Sequence, residues 1–492
     1  MANIILLSAS SSRGVGEDES ICAMDTNRNV ACEVAGLGAS FRDPAGYVFR
    51  EDGLVKRAIT FQGRENYELL ISSGLYEALV ERSLMVAHRE EPGRPDPSAG
   101  IFKVIRPEPI RHLSYFYEWS FGQLRDAALL TLEIQETAMD HGMSLKDASA
   151  FNIQFRGPQP VFIDTLSFER DQPVPWVAYG QFCMHFLAPL ALMAHVSLDF
   201  GRFLRAALDG IPLGFASKLL PRSTCLSPGL LVHLHLHART QAKYAVVRNA
   251  RREKLAQHLA PDRKRAIVAS LAGAVRRLKL PGVGTEWIAY YEQASHYSRQ
   301  AESFKKQAVG SLIDRMRPSL VYDLGGNVGD YARLVTARNI DCVCYDIDPL
   351  CVHENYLRSR KAGDAHMLPL LMDLTNPSPA LGFGLEERLG FLDRSRPDLV
   401  MALALMHHLR ITGNIPLARI AGFLARLAPR LLIEFVPKDD PMAAALIGNR
   451  PEIFNDYSLE NFRRVFGEHY RTAWSADIPD TPRKLFLFEA AR

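Results

Sequence analysis

What this chain has little of narrows its class. It carries 7 cysteines in 492 residues, and Cys22, Cys32, Cys183, Cys225, Cys342, Cys344 and Cys351 show no paired zinc spacing. Cys342 and Cys344 stand too close for the usual two-residue knuckle. Reduced thiols in a reducing, cytoplasmic setting are therefore expected. Long apolar runs are also missing. The most apolar stretch, residues 182–198, holds Pro189 and two histidines and falls short of the roughly 20 residues a spanning helix needs, so it reads as a buried core helix. The short apolar run at the start follows no basic segment, so it does not read as a signal peptide. No charge sign dominates: 58 Lys and Arg against 55 Asp and Glu leave a net +3, too mild to argue for nucleic acid. No repeat of fixed period is visible.

What is present is ordinary globular material, 47% hydrophobic and 23% charged, which excludes a mainly disordered or collagen-like chain. The length suggests about two to four domains. Residues 1–38, rich in small and polar types, read as a disordered tail. Residues 39–280 read as an α+β domain. It opens with a strand, a turn at Glu51-Asp52-Gly53 and a second strand, then a helical stretch at 67–88. Strands are expected at 101–104 and 113–117, a long amphipathic helix at 121–141, and a hairpin turning at Gly157-Pro158. Residues 173–280 read as mostly helical, with a basic second half taken as a solvated face. Residues 281–313 read as a linker and lead-in helix. From 314 to 492, short apolar runs at 320–324, 342–345, 368–372, 398–403, 431–435 and 485–489 alternate with helical segments. That alternation predicts an α/β layer with a parallel sheet and helices on both faces.

The most informative segment is Val321-Tyr322-Asp323-Leu324-Gly325-Gly326-Asn327-Val328-Gly329. An apolar strand runs into a glycine-rich turn, and a helix is expected over 330–338. Glycines allow a sharp turn and close approach of a ligand, and amides at a helix start favour an anion. Seventeen residues after Gly329, a second strand ends at Asp346, an acid suited to accept both hydroxyls of a ribose. The segment resembles the cofactor-binding half of class I S-adenosylmethionine-dependent methyltransferases, with Asn327 standing at the middle glycine of their pattern. Asparagine tolerates a left-handed backbone better than other non-glycine residues. The rival, a dinucleotide-binding Rossmann domain, would normally need a catalytic domain after the loop, and too little chain remains. The resemblance implies S-adenosylmethionine as cofactor, Asp323, Gly325, Gly326, Asn327 and Gly329 around its methionine end, Asp346 at its ribose and Asp373 near its adenine.

After the fourth strand comes Leu405-Met406-His407-His408-Leu409. A histidine there can take a proton from a hydroxyl or amine, or simply line the pocket. Glu434 ends the fifth strand and is a candidate substrate contact or a loop ion pair. The Asn/Asp-Pro-Pro-aromatic motif of amine methylation on adenine or glutamine is absent, which lowers nucleic-acid and translation-factor substrates. A small molecule or glycan, methylated on oxygen or nitrogen, is the expected acceptor.

A second constellation lies in the N-terminal half. Asp147 precedes Asn152 by five residues, and Asp164 follows by twelve. Kinases space a catalytic Asp and two Mg²⁺ ligands this way, so residues 39–280 resemble a divergent kinase with Asn152 and Asp164 as candidate Mg²⁺ ligands. Leu145 stands where the usual His would be, no glycine-rich phosphate loop is evident in 42–54, and Lys56 or Arg57 is the only candidate phosphate-binding cation. His233, His235 and His237 alternate with leucine. A strand would gather all three for a metal; a helix aligns only His233 and His237. The chain as a whole also resembles bacterial methyltransferase-like proteins that include a host-specific nodulation type, a likeness carried by residues 144–169 and 402–440. The alternatives to a plain small-molecule methyltransferase are a bifunctional kinase–methyltransferase and an enzyme acting on a protein docked by the N-terminal half.

Overall fold

The computed structural model describes residue 38 and residues 40–93, 95–246, 261–280, 297–448 and 451–491. The expected tail up to residue 37, the Pro-Gly linker and the arginines at 248, 251 and 252 lie outside the described residues. The N-terminal half opens with β1 (Gly46–Glu51) and β2 (Leu54–Thr60), an antiparallel pair turned at Asp52 and Gly53, both with positive φ. With β3 (His88–Glu90) and β4 (Ile101–Pro107) they form a four-stranded sheet in the order β1-β2-β4-β3. The helical stretch expected at 67–88 is two short helices, Arg64–Ser72 and Leu75–Glu81, broken by Gly74 at φ 77°. The strand expected at 113–117 is instead a loop closing in a 3₁₀ turn, Phe116–Glu118, whose aromatic side chains are all buried. Ser120 then caps the helix Phe121–Asp140, accepting from the Gln123 amide while the Gln123 side chain accepts from the Ser120 amide. That reciprocal pair satisfies two otherwise orphaned donors. Short strands β5 (Met143–Leu145) and β8 (Phe168–Arg170) pair, and β6 (Ile153–Arg156) and β7 (Gln159–Phe162) form the expected hairpin.

The C-terminal half is built on β9 (Leu320–Leu324), β10 (Asp341–Asp346), β11 (Met367–Leu371), β12 (Leu399–Ala402), β13 (Arg430–Phe435), β14 (Tyr470–Asp477) and β15 (Lys484–Ala490). Their order in the sheet is β11-β10-β9-β12-β13-β15-β14. The first five are parallel; β15 enters antiparallel beside β13, and β14, which the sequence reading missed, pairs antiparallel with it at the edge. β9 and β11 are buried at every position, as a sheet covered on both faces requires. Alternate residues serve different layers. Val321, Cys342, Cys344, Met401 and Leu432 pack with the helix Arg299–Met316, whereas Tyr322, Tyr345, Val400 and Ile433 belong to the larger cluster. The lead-in helix is packed from residue 299 onward: Ala301, Val309, Leu312 and Ile313 are part of the sheet's covering layer.

The two halves share one core. The larger hydrophobic cluster runs from Leu70 through Phe151 and Phe186 to Tyr345, Leu370 and Phe488. At its polar centre Glu118 receives Arg394 in a two-pronged pair at 2.7 and 2.8 Å. Both side chains are at most 1% exposed, and the guanidinium lies 4.5 Å from the Tyr115 ring centre. Beside it, His112 hydrogen-bonds Ser395 Oγ at 2.7 Å and Tyr345 Oη at 2.9 Å, while Tyr322 Oη donates to the Ser395 carbonyl. Gln123 Nε2 donates to the Pro369 carbonyl at 3.0 Å, and Tyr356 Oη to Asp126 at 2.7 Å. Removing one member of a buried ion pair strands the other in low dielectric, at a cost of about 3–5 kcal/mol. Glu118→Ala should therefore destabilise both halves together by that amount. A urea titration followed by fluorescence checks it, with one shared transition expected.

Candidate functional site

The carboxyl ends of β9 and β10 bring the sequence-predicted acids together. In the register of the sheet Asp323 lies opposite Cys344 on one side and Met401 on the other. The following loop folds back over β10: the Gly325 and Gly326 amides both donate to the Tyr345 carbonyl, at 2.8 and 3.0 Å. Asn327 has φ 51°, the left-handed conformation anticipated for it, and its Oδ1 accepts from the Val328 amide. Gly326 cannot be enlarged: a Cβ there would sit 2.4 Å from Cys344 Sγ and 2.7 Å from Asp323 Oδ2. Gly329, at φ 85°, packs against Asn355 and Arg333, and Arg333 ties the loop to the helix Pro349–Ala362 through the Val328 carbonyl and Asn355. The helix expected over 330–338 is only Ala332–Thr336. It is too short to supply a strong dipole, so the loop's binding capacity rests on its own amides and on the acids.

Those acids are poised rather than paired. Asp323 is buried and its Oδ2 has no hydrogen-bond partner. Burial pushes its carboxyl up to about 7, against the pull of Lys305. Asp346 accepts from the Asn327 amide at 2.8 Å and the Asp348 amide at 2.9 Å, and burial raises it to about 6. Two adjacent acids held up in this way are waiting for a positively charged or hydroxyl-bearing ligand. Asp373 is near this rim, since the Met372 amide bonds the Asp346 carbonyl. The Thr375 amide and hydroxyl both donate to its Oδ1.

His407 and His408 follow β12 past a left-handed Ala404. Leu405, just before them, is the nearest side chain to Gly325, which places this segment against the glycine loop. The His407 ring is buried with Nδ1 unpartnered, and burial, helped by His408 and Arg483, lowers its pKa to about 3. The two imidazoles lie 4.2 Å apart, and burial lowers His408 too. Glu434 is not open to a substrate. It is fully buried between Lys305 at 2.6 Å and Arg483 at 3.4 Å, with Tyr297 Oη donating to it. Burial alone would raise its pKa, but the two cations hold it below the usual range. Arg483 continues in a two-pronged pair to Asp440 at 2.6 and 3.0 Å. Sequence reading missed Lys305, Arg483 and Tyr297; they come from a lead-in segment and the last hairpin, where nothing local marks them.

The N-terminal acids take a different shape from the one expected. Asn152 and Asp164 do converge, both bonding Ser167 Oγ at 3.0 and 2.6 Å. Arg57 of β2, however, pairs with Asp164 in a buried contact, and although burial alone would raise the Asp164 carboxyl, that guanidinium holds it low. A cation of the protein thus sits on the carboxylate expected to hold Mg²⁺. Asp147 is engaged by the Ser149 amide and Gln181. Among the described residues no group of three or more His, Cys, Asp or Glu is arranged to hold a metal. The histidine run is helical: His233 bridges Tyr179 and Ser270, and His235 bridges Ser217 and Thr224, all at 2.8–2.9 Å.

No protein-family model matches the chain. Nodulation protein NoeA of Rhizobium meliloti strain 1021 is 33% identical over 460 residues, spanning 92% of this chain and 96% of that protein. The chain belongs to the NoeA family. Among solved structures, magnesium protoporphyrin IX methyltransferase from Synechocystis PCC 6803 with bound SAH overlaps 39% of this NoeA-family chain and 84% of its own, at 16% identity and TM-score 0.28. The bifunctional kinase–methyltransferase WbdD overlaps 41% of this chain and 42% of its own, at 14% identity and TM-score 0.29. Overlaps this low carry no argument about function, which rests on the site itself. No helix among the described residues is long and apolar enough to cross a membrane.

Gly326→Ala should force Cys344 or Asp323 aside and cost about 1–3 kcal/mol, the range for overpacking. Thermal denaturation checks this without any ligand, and adding Cys344→Ala should recover part of the loss.

Proposed function

We propose that this NoeA-family enzyme transfers a methyl group from S-adenosylmethionine to an oxygen or nitrogen of a small molecule or glycan. The observation that carries the reading is the unpartnered, buried Asp323 Oδ2 beside a glycine that tolerates no side chain. A cradle with a buried carboxylate oxygen that has no partner suits a ligand with an ammonium group, and Asp346 suits a ribose diol. The cofactor supplies an electrophilic methyl on sulfur. The chain's part is to hold that ligand in the glycine loop, exclude water with Leu405 and Met406, and present an uncharged base. His407 fits that last role by position: burial keeps its ring uncharged, and its unpartnered Nδ1 can accept a hydrogen bond from the acceptor's hydroxyl or amine as the methyl is transferred. Glu434, Lys305 and Arg483 fix the charge balance behind it.

The bifunctional alternative is weakened by Arg57, which neutralises Asp164 where a metal would be required. A protein acceptor docked on the N-terminal half is the other rival. Labelled cofactor incubated with fractionated metabolites and proteins separates the two, and the reading requires label in small molecules or glycans.

Titration calorimetry should show S-adenosylmethionine binding, weakened by about 1.5–3 kcal/mol in Asp346→Ala, the scale of hydrogen bonds to charged groups. The ionised form of Asp323 is the one that attracts a cation. Because its pKa is raised to about 7, affinity should be full above pH 7 and fall below it by about tenfold per unit. The slope should steepen below pH 6 as Asp346 also protonates. His407→Asn should lower kcat by about 10²–10⁴, the usual contribution of a general base, and leave cofactor affinity in place; an unchanged kcat would reduce His407 to pocket lining.

A further inference from the structure

Away from the methyltransferase site, one face of the helical block is built for a different purpose. It comprises the helix Leu213–Leu219, the 3₁₀ turn Arg222–Leu226 and the continuous helical run formed by Pro228–Leu230, Leu231–Leu236 and His237–Val246. His235 locks the three together, bonding Ser217 on the first and Thr224 on the second. Inward positions Leu213, Ala216, Leu230 and Leu234 are buried in the shared core. Outward positions are also apolar. Phe215 and Leu219 stand one turn apart, as do Val232 and Leu236, and Leu226 projects from the turn between them. Leu226 is 85% exposed and Phe215 54%. A helix pair with apolar side chains on both faces leaves one apolar face without a partner among the described residues.

The charged side chains that these elements carry have one sign. From Ile211 to Val246 the chain contains no Asp or Glu, while Lys218, Arg222 and Arg239 are exposed beside the apolar side chains. A second copy of the chain docked here would bring like charges together, which opposes association. Nucleic acid would use the cations but gain nothing from five outward hydrocarbon side chains. We propose that this face seats the protein on a membrane surface rich in anionic phospholipid, with Phe215, Leu219, Leu226, Val232 and Leu236 entering the acyl boundary and Lys218, Arg222 and Arg239 meeting the headgroups. Amphipathic surface elements with basic flanks bind bilayers in this way without crossing them.

The test is co-sedimentation of the full chain with vesicles of phosphatidylcholine alone and of phosphatidylcholine mixed with phosphatidylglycerol. The chain should pellet with the anionic vesicles and stay in solution with the neutral ones. Phe215→Ser with Leu226→Ser should weaken partitioning by at least about tenfold, given two exposed hydrocarbon side chains removed from the bilayer. Lys218→Gln with Arg222→Gln should weaken it by about fivefold per cation lost. The second pair replaces only exposed side chains, so it decides the matter if the first pair disturbs folding. Absence of binding to anionic vesicles, or binding untouched by either pair, would overturn the proposal. So would a dimer in sedimentation velocity that the apolar substitutions dissociate, because that assigns the face to a second copy.

Discussion

The buried pair between Glu118 and Arg394 is the contact on which the arrangement of this molecule depends. It is made across the junction of the two halves, at a point where neither side chain meets solvent. A guanidinium and a carboxylate in that environment are costly apart and compatible only in a well-formed two-pronged geometry. The Tyr115 ring, the Leu113 carbonyl and the Leu389 carbonyl complete the guanidinium's surroundings. Because the partners lie far apart in the chain, they meet only when the hinge-like 3₁₀ turn of the N-terminal half is docked on the loop before β12. The junction thereby joins in one core what a linear reading divides in two.

The same logic recurs behind the glycine loop, with a different outcome. Lys305 is drawn between the Tyr297 and Tyr331 rings, 4.9 and 4.5 Å from their centres, and its ion pair goes to Glu434. Asp323 feels that cation only at a distance and keeps a raised pKa. One acid at the sheet is thus satisfied and the other is left reactive. The satisfied group stiffens the region around His407, and the unsatisfied one is available to a ligand. An unpartnered buried polar atom is expensive, and its persistence beside a constricted glycine loop is what supports the proposed cofactor site.

In the N-terminal half, residues picked out by their spacing do meet in space, but with a cation of the protein among them. Asn152 and Asp164 are brought together, as five- and twelve-residue spacings around a hairpin permit. Arg57 then fills the electrostatic role that a bound cation would otherwise take. Arginine keeps its charge and forms a fixed planar fork, so the pair is a stable internal tie between the small sheet and the hairpin. This half is joined to the methyltransferase sheet through the helix Phe121–Asp140, and it also carries the basic, apolar outer face.

Much of the C-terminal half was legible in the sequence. Strand–glycine loop–strand–acid is a local pattern, and the six apolar runs all became strands because a sheet covered on both sides demands uninterrupted burial. Asn327 took its left-handed conformation because few other side chains can. The edge strand Tyr470–Asp477 escaped notice because it alternates between exposed and half-buried positions and is buried only at its start. The fate of each charged candidate was not legible. Whether Glu434 meets substrate or Lys305, and whether Asp164 holds a metal or Arg57, depend on which cations arrive from elsewhere in the chain. Periodicity and turn chemistry are set by near neighbours, so the sequence determined the elements. Ion pairing and burial are set by residues brought from a hundred positions away or more, and only the tertiary structure decided which charges were spent on the fold and which were kept free for a ligand.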